Sequence, residues 1–199
     1  MKGLEDVLLI HPDLHEDERG YFYEVFNEKV FNEKTNNKYD FHALQENESK
    51  SCKGVFRGLH FQKPPYEQAK LVRVLKGSVV DFAVDIRKDS PTFGKYASVL
   101  LTEMNKNQFF IPRGFAHGFI VVSDIAVFEY KCDNYYNKAS EGGIRWDDTE
   151  VRSINRDNLH LNILSSLKDE IEELAELYKV DGVLLSEKDK NRRTTLKDL

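Results

Sequence analysis

The segment Arg57-Gly58-Leu59-His60-Phe61-Gln62 is followed at strand spacing by Lys70, and a second histidine stands in Pro112-Arg113-Gly114-Phe115-Ala116-His117-Gly118-Phe119. Histidine is the side chain that ordinarily exchanges its proton near neutrality. An ammonium group enclosed beside it holds negative charge as it develops on oxygen. Together they suit removal of a proton from a carbon next to a carbonyl. A buried carboxylate would orient such a histidine and stabilise its imidazolium form. A phenol on the far side would return the proton, and Tyr130, in Val127-Phe128-Glu129-Tyr130-Lys131, is the candidate. The blander readings are a partly exposed histidine and a snorkelling lysine on an ordinary strand surface. For Tyr130 the blander reading is an aromatic of a barrel wall.

Other chemistries fit less well. A metal site wants a close pair of histidines with a carboxylate nearby, but position 62 is Gln62 and no histidine stands two residues from His117. No metal is expected. The phosphate-loop and dinucleotide glycine patterns are absent, as are serine-nucleophile motifs. A net charge of -5 argues against a general nucleic-acid binder but leaves room for a nucleotide ligand met by a few local cations. No apolar run has the length of a membrane span, and the start Met1-Lys2-Gly3-Leu4-Glu5-Asp6 lacks the apolar core of a signal peptide. With only Cys52 and Cys132, no disulfide framework is expected, and the cytoplasm is the default compartment.

The elements that must position these groups read mostly as strands. Alternation along residues 55–61 puts Val55, Arg57, Leu59 and Phe61 on one face, with Phe56, Gly58, His60 and Gln62 on the other. Along the next strand Lys70, Val72, Val74 and Lys76 share a side. Val80, Phe82, Val84 and Ile86 share another, opposite Asp81 and Asp85. Strands are expected over 20–26, 54–61, 69–75, 79–86, 97–102, 108–111, 118–122 and 125–131, with a short helix over 27–34. Short strands at this spacing, punctuated by Gly and Pro, indicate a β-sandwich or small barrel and not a doubly wound α/β fold. The tail differs: Leu167, Ile171, Leu174 and Tyr178 recur at helical spacing. Ser166 suits its N-cap, Asp169 and Glu170 its first turn, and Gly182 its stop. Such a helix would be a brace or lid on the barrel, or a dimer contact.

These motifs converge on a family. The chain resembles the dTDP-4-dehydrorhamnose 3,5-epimerases through Asp17-Glu18-Arg19-Gly20-Tyr21-Phe22, Gln45-Glu46-Asn47-Glu48-Ser49, the Arg57 and His60 segment, and Ala69-Lys70-Leu71-Val72-Arg73-Val74. Val84-Asp85-Ile86-Arg87, residues 110–119, Tyr130-Lys131-Cys132, Gly143-Ile144-Arg145-Trp146-Asp147-Asp148 and Leu185-Ser186-Glu187-Lys188-Asp189 continue it in order. The resemblance implies one cupin-type jelly-roll β-barrel domain over 1–199, all-β with short helices, acting without a cofactor. It implies His60 as base with Asp189 as its carboxylate, Lys70 as enolate stabiliser and Tyr130 as opposed acid. Arg19, Arg57 and His117 would meet the diphosphate; Gln45, Asn47, Tyr136 and Glu141 would contact the nucleoside. Phe22 and Glu24 would come from the partner of a homodimer that exchanges N-terminal strands.

The implied reaction inverts C3 and C5 of dTDP-4-dehydro-6-deoxy-D-glucose, giving dTDP-4-dehydro-L-rhamnose. A single-centre epimerase, a ketoisomerase on a related nucleotide sugar, and a non-catalytic sugar-binding cupin remain alternatives. One departure stands out: a helical segment at about 160–182 intervenes between Trp146 and Asp189, where the family runs more directly. It is expected to cover the pocket or enlarge the dimer contact.

Overall fold

Strand after strand alternates between a face turned into a shared core and a face turned away from it. The computed structural model describes residues 4–153 and 166–199. Its strands are β1 (Leu8–Ile10), β2 (His15–Asp17), β3 (Gly20–Phe22), β4 (Gln45–Cys52), β5 (Phe56–Gln62), β6 (Lys70–Lys76) and β7 (Ser78–Asp85). They continue with β8 (Lys95–Thr102), β9 (Gln108–Ile111), β10 (Phe115–Val121), β11 (Ile125–Cys132), β12 (Glu141–Gly143) and β13 (Arg152–Ser153). Helices are α1 (Glu28–Lys34), α2 (Leu167–Leu177) and α3 (Glu187–Lys190).

Two sheets result, one ordered β1-β9-β6-β11-β4 and the other β12-β5-β10-β7-β8-β13, with β2 and β3 a separate hairpin. Val72, Val74, Phe109, Ile111 and Phe128 from the first sheet pack against Val79, Ala83, Leu101, Phe119 and Val121 from the second. This inter-sheet core is what an antiparallel jelly roll buries, and the all-β expectation holds. The outer face of the six-stranded sheet carries Phe56, Val80, Phe82, Val84 and Tyr96 under Leu167, Ile171 and Leu174 of α2. The outer face of the five-stranded sheet carries Leu71 and Phe110 under Phe31 and Phe41.

Three departures from the expected elements have physical reasons. The strand expected over 20–26 stops at Phe22, since its only ladder partner is the three-residue β2. Beyond it the backbone is held by a side chain, the Gln108 amide donating to the Val25 carbonyl at 2.6 Å. Strand β4 was not expected. Gln-Glu-Asn-Glu-Ser-Lys-Ser-Cys has little β propensity, yet it pairs along its whole length with β11 as the sheet's edge. Finally, α2 begins as expected, Ser166 accepting from the Asp169 N–H, but it stops before Gly182. Lys179 takes the left-handed conformation at φ 53°, and Val180 donates back to the Ala175 carbonyl at 2.7 Å. That is a Schellman closure made by lysine in place of glycine.

The helix packs on the sheet's outer face, and none of its described residues lines the cavity onto which His60 and Lys70 open. Residues 160–165 of the expected segment lie outside the described residues. The brace on the barrel is what the helix forms, and the expectation that it covers the pocket is corrected: its apolar stripe is buried behind the barrel. After it, Leu184 binds the β5 approach, donating to the Gly54 carbonyl at 2.8 Å and accepting from Phe56 at 2.9 Å. This strap delivers α3 to the cavity mouth.

Candidate active site

Between the sheets, at one end of the core, lies a cavity of about 420 Å³ lined by Arg57, His60, Lys70, His117, Tyr130, Lys188 and Asp189, with Phe119 and Phe128 as apolar wall. Lys70 enters it because β6 alternates as expected, with Val72 and Val74 on the same inward side. Tyr130 faces the same space from β11, its ring centroid 5.8 Å from the Lys70 ammonium.

Strand β5 does not alternate as expected. His60 and Arg57, assigned above to opposite faces, both line the cavity, while Phe56 and Leu59 pack outward. The register explains it: His117 opposes His60 and Phe119 opposes Arg57, so β5 takes three steps where β10 takes two. One extra residue in one strand is a β-bulge, and it re-aims the side chains beyond it. Gly58 permits it, with φ at 145° and space so close that a Cβ would lie 2.5 Å from the Gly118 Cα.

His60 Nε2 lies 2.7 Å from Asp189 Oδ1, a hydrogen bond spanning 129 positions of chain. The other Asp189 oxygen accepts from the Ser186 hydroxyl at 2.8 Å, and the Asp189 N–H donates to the same hydroxyl at 3.1 Å. Burial alone would push the Asp189 carboxyl up. The hydrogen bonds and charges of His60, Ser186 and Arg192 outweigh it and hold the group below the usual carboxylate range. The carboxylate is therefore ionised, as a base's orienting partner must be.

A second histidine–carboxylate pair sits deeper. His117 Nε2 lies 2.9 Å and 3.0 Å from the two oxygens of Asp81, which is fully buried. Burial pushes the His117 imidazole down and the Asp81 carboxyl up, each opposed by the other's charge. Burial likewise pushes the Lys70 ammonium down, against the pull of Asp81, and it raises the Tyr130 phenol. Cys132 is pushed up to about 11 by burial, which leaves it a protonated thiol. Sequence reasoning placed Asp81 on the face opposite Val80 and Phe82 and gave it no role. The structure turns that face inward, because Val80 and Phe82 are buried on the sheet's other side under α2 while Val79 and Ala83 face the inter-sheet core.

The remaining predicted residues fall in two other places. Gln45, Asn47, Tyr136 and Glu141 form one polar cluster beside the cavity. There Gln45 donates to Asn47 at 3.0 Å, the Tyr136 N–H to Gln45 at 2.9 Å, and the Tyr136 hydroxyl to Glu141 at 3.0 Å. Glu141 also pairs with Lys188 of the cavity, and Asn47 opposes Tyr130 across β4 and β11. Arg19, Phe22 and Glu24 lie elsewhere. Arg19 is exposed and clasps Asp17, while Phe22 and Glu24 line a groove of about 560 Å³ together with Val25, Phe26 and Val30. That groove is larger than the cavity, but the base–carboxylate pair, the lysine and the tyrosine are all in the smaller one. Among the described residues no three His, Cys, Asp or Glu side chains gather closely enough to hold a metal ion.

Known proteins are similar to this chain in both sequence and fold. The family model described as dTDP-4-dehydrorhamnose 3,5-epimerase matches residues 2–196. A dTDP-4-dehydrorhamnose 3,5-epimerase of Shigella flexneri is 55% identical over 148 residues, 74% of this chain and 81% of the relative. The crystal structure of dTDP-4-dehydrorhamnose 3,5-epimerase from Elizabethkingia anophelis is similar with a TM-score of 0.77 at 46% identity, covering 98% of this chain and 93% of the other. The dTDP-6-deoxy-D-glucose-3,5-epimerase of Legionella pneumophila, solved in complex with dTDP-4-keto-L-rhamnose, has a TM-score of 0.77 at 40% identity, covering 96% and 88%.

Proposed function

The chain belongs to the dTDP-4-dehydrorhamnose 3,5-epimerase family, and on that premise we propose that His60, Lys70 and Tyr130 divide its proton transfers among them. The enzyme is a carbohydrate isomerase acting on a dTDP-linked 4-keto-6-deoxy sugar. In that substrate the C3 and C5 protons both lie alpha to the C4 ketone, so removing either yields an enolate at O4. His60 takes the proton, with Asp189 stabilising the imidazolium. Lys70 meets the O4 charge in a cavity where water is scarce and an ammonium is worth more. Tyr130, a proton-bearing phenol because burial raises it, returns a proton to the other face of the ring. Solvent restores both groups, and the net change is configuration alone.

The observation that carries this assignment is the 2.7 Å bond between His60 and Asp189 in the cavity that also holds Lys70 and Tyr130. His117 is the competing base, but it is buried against Asp81 and burial disfavours its charged form. Arg57 and His117 are assigned to the diphosphate, with Gln45, Asn47, Tyr136 and Glu141 assigned to the nucleoside. Arg19, Phe22 and Glu24 reach the site from the partner of a homodimer exchanging N-terminal strands. One domain over 1–199 does this work in the cytoplasm.

Incubation with the 4-keto nucleotide sugar in deuterated water tests the assignment. His60→Ala is expected to lose deuterium wash-in at both C3 and C5, with turnover down about 10²–10⁴-fold. Tyr130→Phe is expected to impair product formation more than the first wash-in. Exchange surviving in the His60 variant would move the base elsewhere, with His117 next in line.

A further inference from the structure

One buried cation beside the cavity has no part in the chemistry above. Arg192 follows α3 by two residues, and its side chain is only 12% exposed. Its Nη2 lies 3.7 Å from Asp189 Oδ1, the same oxygen that His60 engages. Its Nε and Nη2 are buried and have no hydrogen-bond partner among the described residues. The placement is built, because the guanidinium lies against Gly143, where a Cβ would come 2.6 Å from Cζ and 2.7 Å from Nη1. Gly143 is the cross-strand partner of His60 in β12. Just beyond, the Thr194 carbonyl accepts from the Arg145 N–H at 2.9 Å, which pins the segment that carries Arg192.

A guanidinium buried with unmet donors is costly and calls for a reason. Closing the gap to Oδ1 by about 0.5 Å would make a charge-assisted hydrogen bond. The Asp189 oxygen would then be shared between His60 and Arg192, while Ser186 holds the other one.

We propose that Arg192 is a positioning residue for the His60–Asp189 pair: by drawing on the carboxylate oxygen that His60 uses, it sets the pH at which the imidazole becomes available as a base. The titratable and charged groups around the pair are Arg57 from β5, Lys70 from β6, His117 from β10, Tyr130 from β11, and Lys188 and Arg192 from α3 and the turn after it. Lys138, before β12, bears on Lys188. Lys188 is itself paired with Glu141, and of these cations Arg192 is the one that comes within 3.7 Å of the Asp189 oxygen. With it removed, Asp189 turns its full charge on the imidazolium, and His60 keeps its proton to higher pH.

The proposal deepens the reading of His60 as base, and its test separates the two. The imidazole titration of His60 is followed by NMR without substrate in Arg192→Gln and Arg192→Met, with Arg192→Lys as the charge-retaining control, beside the pH profile of kcat/KM for each. The expected result is a titration moved upward by about 0.5 pH unit or more in the neutral variants, the acidic limb of kcat/KM moving with it, and the lysine variant staying near the native protein. An unmoved or downward titration overturns the proposal, even if thermal stability falls. Failure of both neutral variants to fold while the lysine variant folds makes Arg192 structural and overturns it equally. A moved titration with an unmoved rate profile would sustain the coupling and sink the assignment of His60 as base.

Discussion

At the residue scale the clearest tension is Lys70. Burial drives its ammonium toward the neutral form, and the nearby Asp81 only partly opposes this. Its proton is therefore held more weakly in the folded protein than in the unfolded chain. Between the lowered folded value and the ordinary lysine value near 10.4, the unfolded chain binds more protons, so stability climbs with pH through that window. Below that window the cost is fully present. Lys70→Met, which keeps the length of the side chain without its charge, is expected to gain about 1–2 kcal/mol at pH 7 and to lose activity. Chemical denaturation at pH 7 and pH 10 checks this: the gain must shrink at the higher pH, and a variant less stable than the native protein would contradict it. Lys70 was legible in the sequence, because it alternates with Val72 and Val74, which had to face the core. Asp189 was not legible from spacing, since a contact across 129 positions leaves no local pattern. Only the resemblance carried by Leu185-Ser186-Glu187-Lys188-Asp189 named it. Arg192 left no signal at all, one arginine in a basic tail reading as solvated surface.

At the element scale, pattern reading worked where one face was apolar and failed where the backbone broke its own period. Strand β9 was read to the residue because Phe109 and Phe110 point to opposite apolar faces. Strand β5 was read with the wrong faces beyond Gly58, because a bulge is a property of two strands in register and not of one sequence. Strand β4 was missed for a different reason: an edge strand with one exposed side needs few apolar residues. The helix α2 was read correctly as an amphipathic stripe and a brace on the barrel, while the reading that it lies over the pocket failed. Its position on the outer face of β7 and β8 makes it a brace for the strap that ends in Asp189. Ile171 is fully buried there. Ile171→Ala is expected to cost about 2–4 kcal/mol of stability while leaving KM for the sugar nucleotide unchanged in the folded fraction. Calorimetry and steady-state kinetics check the two halves separately, and a raised KM with unchanged stability would return the helix to the pocket.

At the scale of the whole molecule, the question is why the hairpin that the resemblance assigns to the substrate site stands away from the cavity. Phe22 is 72% exposed and Tyr21 55%, large rings facing solvent beside the 560 Å³ groove. Neither they nor Arg19 line the cavity that holds His60. Rings left bare in this way mark an interaction surface more often than a free one. A two-fold dimer would use each surface twice, the hairpin of one copy meeting the cavity of the other. That arrangement makes a quantitative demand that an intrachain site does not. Phe22→Ala and His60→Ala, each nearly inactive alone, are mixed in equal amounts and reassembled. Random pairing gives half the dimers one chain of each kind. In these dimers one site carries both defects and the other carries neither, so about a quarter of all sites regain native activity. If the hairpin served its own chain, every site would keep one defect and the mixture would show only the mean of its parents. Recovery to near one quarter, measured against native enzyme at equal chain concentration, is the expected outcome. Recovery no greater than that mean would place Phe22 outside the partner's site.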